Sequence, residues 1–355
     1  MTGVTRLPVA PRPFSDELLS SWMARVATRF GLEVPDLTAY LAGQGATLPA
    51  MRQIDDTTPN LELLKIWARG SRIDPARLER LSLATRYFNR SRDWVSGRGG
   101  GGVSVCVACF DADVTAGRDG YIRADWKLVE RVVCPVHKEM LRDRCSKCYA
   151  HLQTSLRLRT GLLRVFCAKC ECLLTGRGGA LADLVDARFA TEILALQNQV
   201  ERIINGDNPH LALLEWVIWT LWSPLDRVGA ARPVLALWFD QEGWNCPFEA
   251  RAAVDAAAPL QHLSLAWRVL TLVILCDLFG EAMVPMGTMP EAAARLFRRA
   301  APIPRAHYGR REAIGKGEDP IDILTRRVQR LSKNPVHRWT GNFEDERADL
   351  GRVRP

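Results

Sequence analysis

Apolar residues recur every three or four positions along most of this 355-residue chain, a period that predicts helices. In "SDELLSSWMARVATRF" (15–30), Leu18, Leu19, Trp22, Val26 and Phe30 share one face, with Ser15 as N-cap and Gly31 as the stop. "VPDLTAYLAG" predicts a shorter helix from about Pro35 to Gly43, because proline is tolerated in a first helical turn and glycine suits the exit. "TPNLELLKIWARG" predicts a third, with Leu61, Leu64 and Trp67 or Ala68 inward, and "SRIDPARLERLSL" a fourth, with Asp74 as N-cap and Pro75 at N1. Residues 60–84 thus have the outline of a helix-turn-helix, an outline shared with plain helical hairpins. "VSGRGGGGV" (95–103) interrupts the pattern and lacks the Gly-Lys-Ser/Thr of a phosphate loop, so it reads as a linker. From about 182 the period resumes, with Leu184, Phe189, Ile193, Leu196, Val200 and Ile203 on one stripe ending at Gly206. Further helices are predicted over 209–222, 262–280 and 290–300, and a basic helix over 320–333.

The expected fold class is therefore mainly α: an N-terminal helical, helix-turn-helix-like domain (1–95), a central tandem zinc-binding module of zinc-ribbon or zinc-finger type (104–180), a C-terminal helical domain (181–301) and a basic tail (302–355). The longest apolar runs, "LALLEWVIWTLW" (211–222) and "VLTLVILC" (269–276), fall short of the roughly 20 residues that cross a membrane. The opening residues lack the basic cluster and apolar run of a secretory signal. A cytoplasmic protein without membrane partners is expected. Trp216, Trp219 and Trp222 recur at three-residue spacing among other apolar residues, which points to a packed core.

Charge changes the picture when it is divided along the chain. Residues 86–180 carry net +8 and 295–355 net +7, whereas 181–294 carry net −8 and 1–85 only +1. Basic blocks attract phosphate and an acidic one repels it. The candidates for phosphate contact are Arg305, Arg310, Arg311, Lys316, Arg326, Arg327, Arg330 and Lys333 in the tail, then Arg123, Lys127 and Arg131 in the centre, all weighed against solvated surface charge.

Eight of the ten cysteines lie between 106 and 172, and clustered cysteines in a non-exported chain indicate metal rather than disulfides. Four pairs share a two-residue gap: Cys106 and Cys109, Cys134 and His137, Cys145 and Cys148, Cys167 and Cys170. Random placement would produce about 0.3 Cys-x-x-Cys pairs in this length, and three are present. A two-residue gap turns both side chains toward one ion, and two such turns complete the tetrahedron zinc prefers. Eight ligands imply two structural zinc ions with no coordination position left for water. Sequential pairing is expected from the 24- and 18-residue inserts, the alternative being a cross-brace joining the first half-site to the third. Cys172 either replaces Cys170 or stands by, with the regular spacing favouring Cys170, while Cys246 and Cys276 read as small buried apolar residues.

"PRPFSDELLSSWMARVATRFG", with Pro13, Glu17, Ser21, Trp22 and Arg25, resembles the opening signature of the TniQ family, which includes TnsD-type target selectors of bacterial transposons. The order Cys-x-x-Cys, "YIRADWKLVERVVCPVHKEML", Cys-x-x-Cys and Cys-x-x-Cys is similar to that family's paired zinc motifs, and the resemblance extends over 8 to about 205. This chain departs from it at Val107, where the family motif usually has proline, and at Glu171, where it usually has glycine. The resemblance implies a bacterial, nucleoid-associated adaptor for DNA transposition. Such an adaptor binds duplex DNA, helps select the target and recruits an AAA+ ATPase regulator of the transposase, of TnsC or TniB type. It also admits an RNA-guided CRISPR effector and a second copy of the chain as partners.

No His-Glu-x-x-His, Walker lysine or Gly-x-Ser-x-Gly elbow occurs in the chain, which favours a non-enzyme. The alternative function is a zinc-containing helix-turn-helix transcription regulator. Binding to the ATPase separates the two.

Overall fold

The computed structural model describes residues 6–43, 54–96, 103–175, 187–206, 211–222 and 259–279. The chain divides into two compact units, Met1–Thr191 and Glu192–Pro355. Among the described residues it is rich in helix, with one two-stranded sheet. The predicted helices at 290–300 and 320–333 lie outside the described residues.

In the first unit, α1 (Leu19–Arg29), α2 (Val34–Ala42) and α3 (Leu61–Ser71) pack around Trp22 and Trp67, whose rings meet edge to face at 5.6 Å. Leu19, Met23, Val26, Leu37, Leu41, Leu63, Leu64 and Leu78 complete this core. Both indoles find partners, Trp22 donating to Pro11 O at 2.9 Å and Trp67 to Thr38 Oγ1 at 2.9 Å. The period therefore located these helices and most of their inward positions, but Leu61, expected inward, is exposed in the first turn of α3, and Leu63 is buried in its place. Asn60 starts α3 by accepting from the Glu62 and Leu63 amides.

Helix α1 begins four residues after the Ser15 expected to cap it. Glu17 is drawn out of the helix, since its carboxylate receives the Phe14 amide, the Ser21 hydroxyl and Arg25, and its backbone bridges Arg123. The fourth predicted helix is also divided, into α4 (Pro75–Glu79) and α5 (Leu83–Arg86). Ser82 caps a new turn by accepting from the Thr85 amide, while the Leu83 and Ala84 amides bond to Asp56 O and Thr57 O. These outside partners turn the chain after Leu81.

Beyond the linker, α6 (Val107–Thr115) is followed by an irregular stretch and the antiparallel pair β1 (Thr154–Arg159) and β2 (Leu162–Cys167), joined at Thr160 and Gly161. Both turn residues have positive φ, 49° and 80°, which Gly161 adopts without strain. This segment is spliced to α1 through backbone. The Leu18 amide bonds to Ile122 O at 2.9 Å, the Ala124 amide to Asp16 O at 2.8 Å and the Ile122 amide to Ser21 Oγ at 2.9 Å.

Helix α7 (Ala187–Asn205) begins at the end of the first unit and in the second buries Ile193, Val200 and Ile204, with Gln197 on the same buried face. Helices α8 (Leu211–Leu221) and α9 (Leu265–Phe279) meet where Trp222 donates to Thr271 Oγ1 at 3.2 Å and packs edge to face on Trp267 at 5.8 Å. Trp216, Trp219 and Trp222 are all buried, so the tryptophan stripe is core. No helix among the described residues is long and apolar enough to cross a membrane.

Candidate metal centres

Three of the four half-sites share one backbone form. In each, the first ligand's amide bonds five residues ahead: Cys134 to Glu139 O at 2.8 Å, Cys145 to Ala150 O at 2.9 Å, Cys167 to Cys172 O at 2.9 Å. The amide after the second ligand bonds back: Lys138 to Cys134 O, Tyr149 to Cys145 O, Glu171 to Cys167 O. Those three residues are left-handed, with φ of 54°, 55° and 58°. The bridges Val133 with Met140, Arg144 with His151 and Phe166 with Leu173 close each turn into a knuckle. The fourth half-site differs. Cys106 is the N-cap of α6 and Cys109 lies in its first turn, so both sulfurs sit at a helix N-terminus, where the dipole favours thiolate.

The half-sites meet in sequence order. Cys106, Cys109, Cys134 and His137 form one cluster and Cys145, Cys148, Cys167 and Cys170 another, the ligand atoms of each within 4.8 Å of one another. In the first, His137 Nδ1 lies 3.6 Å from Cys106 Sγ, 3.3 Å from Cys109 Sγ and 3.6 Å from Cys134 Sγ, with Cys109 and Cys134 sulfurs 3.7 Å apart. Zinc bonds of ordinary length and tetrahedral angle place two sulfurs about 3.8 Å apart and sulfur and nitrogen about 3.5 Å apart. The residues fit the ion. In the second cluster Cys148 and Cys167 lie 3.9 Å apart and Cys145 and Cys170 3.5 Å, the same spacing.

Thiols packed this closely resist losing all their protons without a cation between them. Hydrogen bonding with Cys106, then with Cys134, pushes the Cys109 thiol far up. Cys106 is lowered by its bond from Cys109, but Cys134 and burial carry it up to about 12. Cys134 is driven well down by bonds from Cys106 and Cys109. A divalent ion removes the conflict by binding every sulfur as thiolate.

The two clusters are joined by residues 138–144. Arg142 exchanges both backbone bonds with Val105 beside the first cluster, at 2.9 and 2.8 Å, and the Leu152 amide bonds to Asp143 O beside the second. The segment is pinned at both ends.

A buried ionic knot contains three of the signature residues, Glu17, Ser21 and Arg25. Arg25 donates to Glu17 through Nε at 2.8 Å and through Nη2 at 2.9 Å, and to Asp119 at 3.1 Å. Arg29 adds a bond to Asp119 at 2.7 Å, and the Leu163 amide of β2 another at 2.9 Å. Burial raises Glu17 above the usual carboxylate range, more than Arg25 offsets it. Burial pushes Asp119 up as well, but Arg29, the Leu163 amide and Arg25 outweigh it and hold Asp119 below its usual value. Sequence reading missed Asp119 and Asp113, because their partners stand far off in the chain or carry no motif.

Of the central phosphate-contact candidates, Arg123 donates to both oxygens of Asp113, at 3.0 and 3.1 Å, and lies over the Tyr121 and Trp126 rings. Arg131 is buried, with Nε 3.7 Å from Asp125. Lys127 is half-buried, its ammonium held below its usual range by burial against a weaker pull from Asp56. Arg305, Arg310, Arg311, Lys316, Arg326, Arg327, Arg330 and Lys333 lie outside the described residues, as does Cys246; Cys276 is partly buried on α9.

Helices, a buried polar knot and two clusters of side chains able to ligate metal define a helix-rich protein with two candidate metal centres. The TniQ family model matches residues 8–141, so the chain carries a TniQ domain, the mark of a family of transposition-associated and generally non-catalytic adaptors. No curated protein matches the chain. The matched segment runs from the irregular stretch before α1 through the first cluster and ends before the second, short of the 205 to which the resemblance was expected to extend.

Proposed function

We propose that the protein is a non-enzymatic adaptor for DNA transposition, which helps select target DNA and recruits an AAA+ ATPase regulator of the transposase, and that two structural zinc ions order its first unit. The observation that carries this reading is the TniQ match over 8–141, a segment in which the signature residues Glu17, Ser21 and Arg25 are bonded together. Zinc is supported by the tetrahedral spacing of both clusters and by their soft sulfur donors. Ions held by four protein ligands serve architecture, with no position open for a reacting water.

Duplex DNA is the partner that the basic tail supports, through phosphate rather than base contacts. Arg123 already spends its guanidinium on Asp113, so the tail residues are the stronger candidates. The operator-reading alternative loses ground because α4, the second helix of the outline, spans only Pro75–Glu79. Insertion mapping in cells supplied with the transposase and ATPase tests the adaptor reading. Removing this chain is expected to abolish or scatter insertions at preferred targets; an unchanged insertion map overturns it.

A further inference from the structure

The second cluster contains more sulfur than one ion needs. Cys172 Sγ lies 3.3 Å from Cys145 Sγ, nearer than Cys170 at 3.5 Å. We propose that Cys170 and Cys172 are interchangeable fourth ligands, so that one zinc ion is held by Cys145, Cys148 and Cys167 with either thiol completing the tetrahedron. This rests on the reading of the second cluster as a zinc site.

The knuckle geometry explains how two thiols two residues apart reach one place. The left-handed residue between them, Glu171, reverses the chain, and its carboxylate is paired with Arg157. In the other two knuckles the position matching Cys172 holds Glu139 and Ala150, neither of which offers sulfur. The backbone of Cys172 is tied down by its carbonyl, which accepts from the Cys167 amide, and by the neighbouring bridge of Leu173 with Phe166. Exchange therefore calls for rotation of two short side chains. Cys145 and Cys167 are buried, whereas Cys148, Cys170 and Cys172 are only partly so, and the exchanging pair therefore shares the more open side of the cluster with Cys148. A site built this way keeps its metal when one of the two outer thiols is lost to alkylation or oxidation.

The test counts zinc in the purified full-length chain by native mass spectrometry, for wild type, Cys170→Ser, Cys172→Ser and the double variant. The expected counts are two, two, two and one. One ion in either single variant, or two in the double, overturns the exchange. A wild-type count below two overturns the zinc reading itself, and the exchange with it. A second measurement needs no substitution: iodoacetamide labelling of the zinc-loaded wild type, with the modified cysteine located by peptide fragmentation. Label divided between Cys170 and Cys172, totalling about one per chain over the two, supports exchange. Label on one of them alone overturns it.

Discussion

Arg25 and Glu17 are almost wholly removed from water, with side-chain exposures of 2% and 0%, and each is tolerable there because the other is present. Removing Arg25 leaves the Glu17 carboxylate buried with only the Phe14 amide and the Ser21 hydroxyl to meet. Arg25→Ala is expected to lower the unfolding free energy of the first unit by about 3–5 kcal/mol. Urea denaturation checks this, and an unchanged midpoint contradicts the role given to the knot. Lys138 presents the opposite case, an exposed side chain held at φ 54°. Lys138→Gly relieves a left-handed cost of about 1 kcal/mol, so the melting temperature is expected to rise by a few degrees with the zinc count unchanged. At this scale the ligands were legible, because a knuckle's ligands must lie three positions apart. Asp119 was not. Its partners Arg25 and Arg29 stand 94 and 90 residues away, and no local spacing records such a pair.

The elements follow the apolar period closely, and depart from it where a polar group finds a partner outside its own turn. Helix α1 starts late because Glu17 serves Arg25 instead of the helix, and the fourth predicted helix divides because Ser82 caps a new turn. Asn60 illustrates a local capping signal that does act, and Asn60→Ala is expected to cost about 1 kcal/mol by thermal melting. Within the knuckles Val136, Tyr149 and Leu173 are exposed rather than packed, so the order of these turns depends on metal. Cys134→Ser or Cys148→Ser is expected to lose one zinc ion and unfold the 104–175 segment, read by native mass spectrometry and by rapid cleavage in limited proteolysis. Retention of two ions and of protease resistance contradicts this. The stretch "CPVHKEMLRDRCSKC" accordingly holds parts of two clusters, and its middle residues pair with Val132 and Val105 on one side and Leu152 on the other.

Across the whole molecule, two basic blocks flank an acidic one. Alanine at Arg305, Arg310, Arg311, Lys316, Arg326, Arg327, Arg330 and Lys333 is expected to weaken duplex binding about equally for all sequences and to flatten its salt dependence, as measured by fluorescence anisotropy. In the first unit, by contrast, backbone hydrogen bonds tie the segment around α1 to the stretch before the knuckles. On the proposed function, this chain bridges DNA and the ATPase that regulates transposition. Co-purification of the tagged full-length chain with that AAA+ ATPase, with and without duplex DNA, tests it most directly. The ATPase is predicted to be retained by the wild-type chain, more strongly when DNA is present, and to be lost after zinc is removed by chelation. A chain that retains its zinc yet captures no ATPase under either condition contradicts the account.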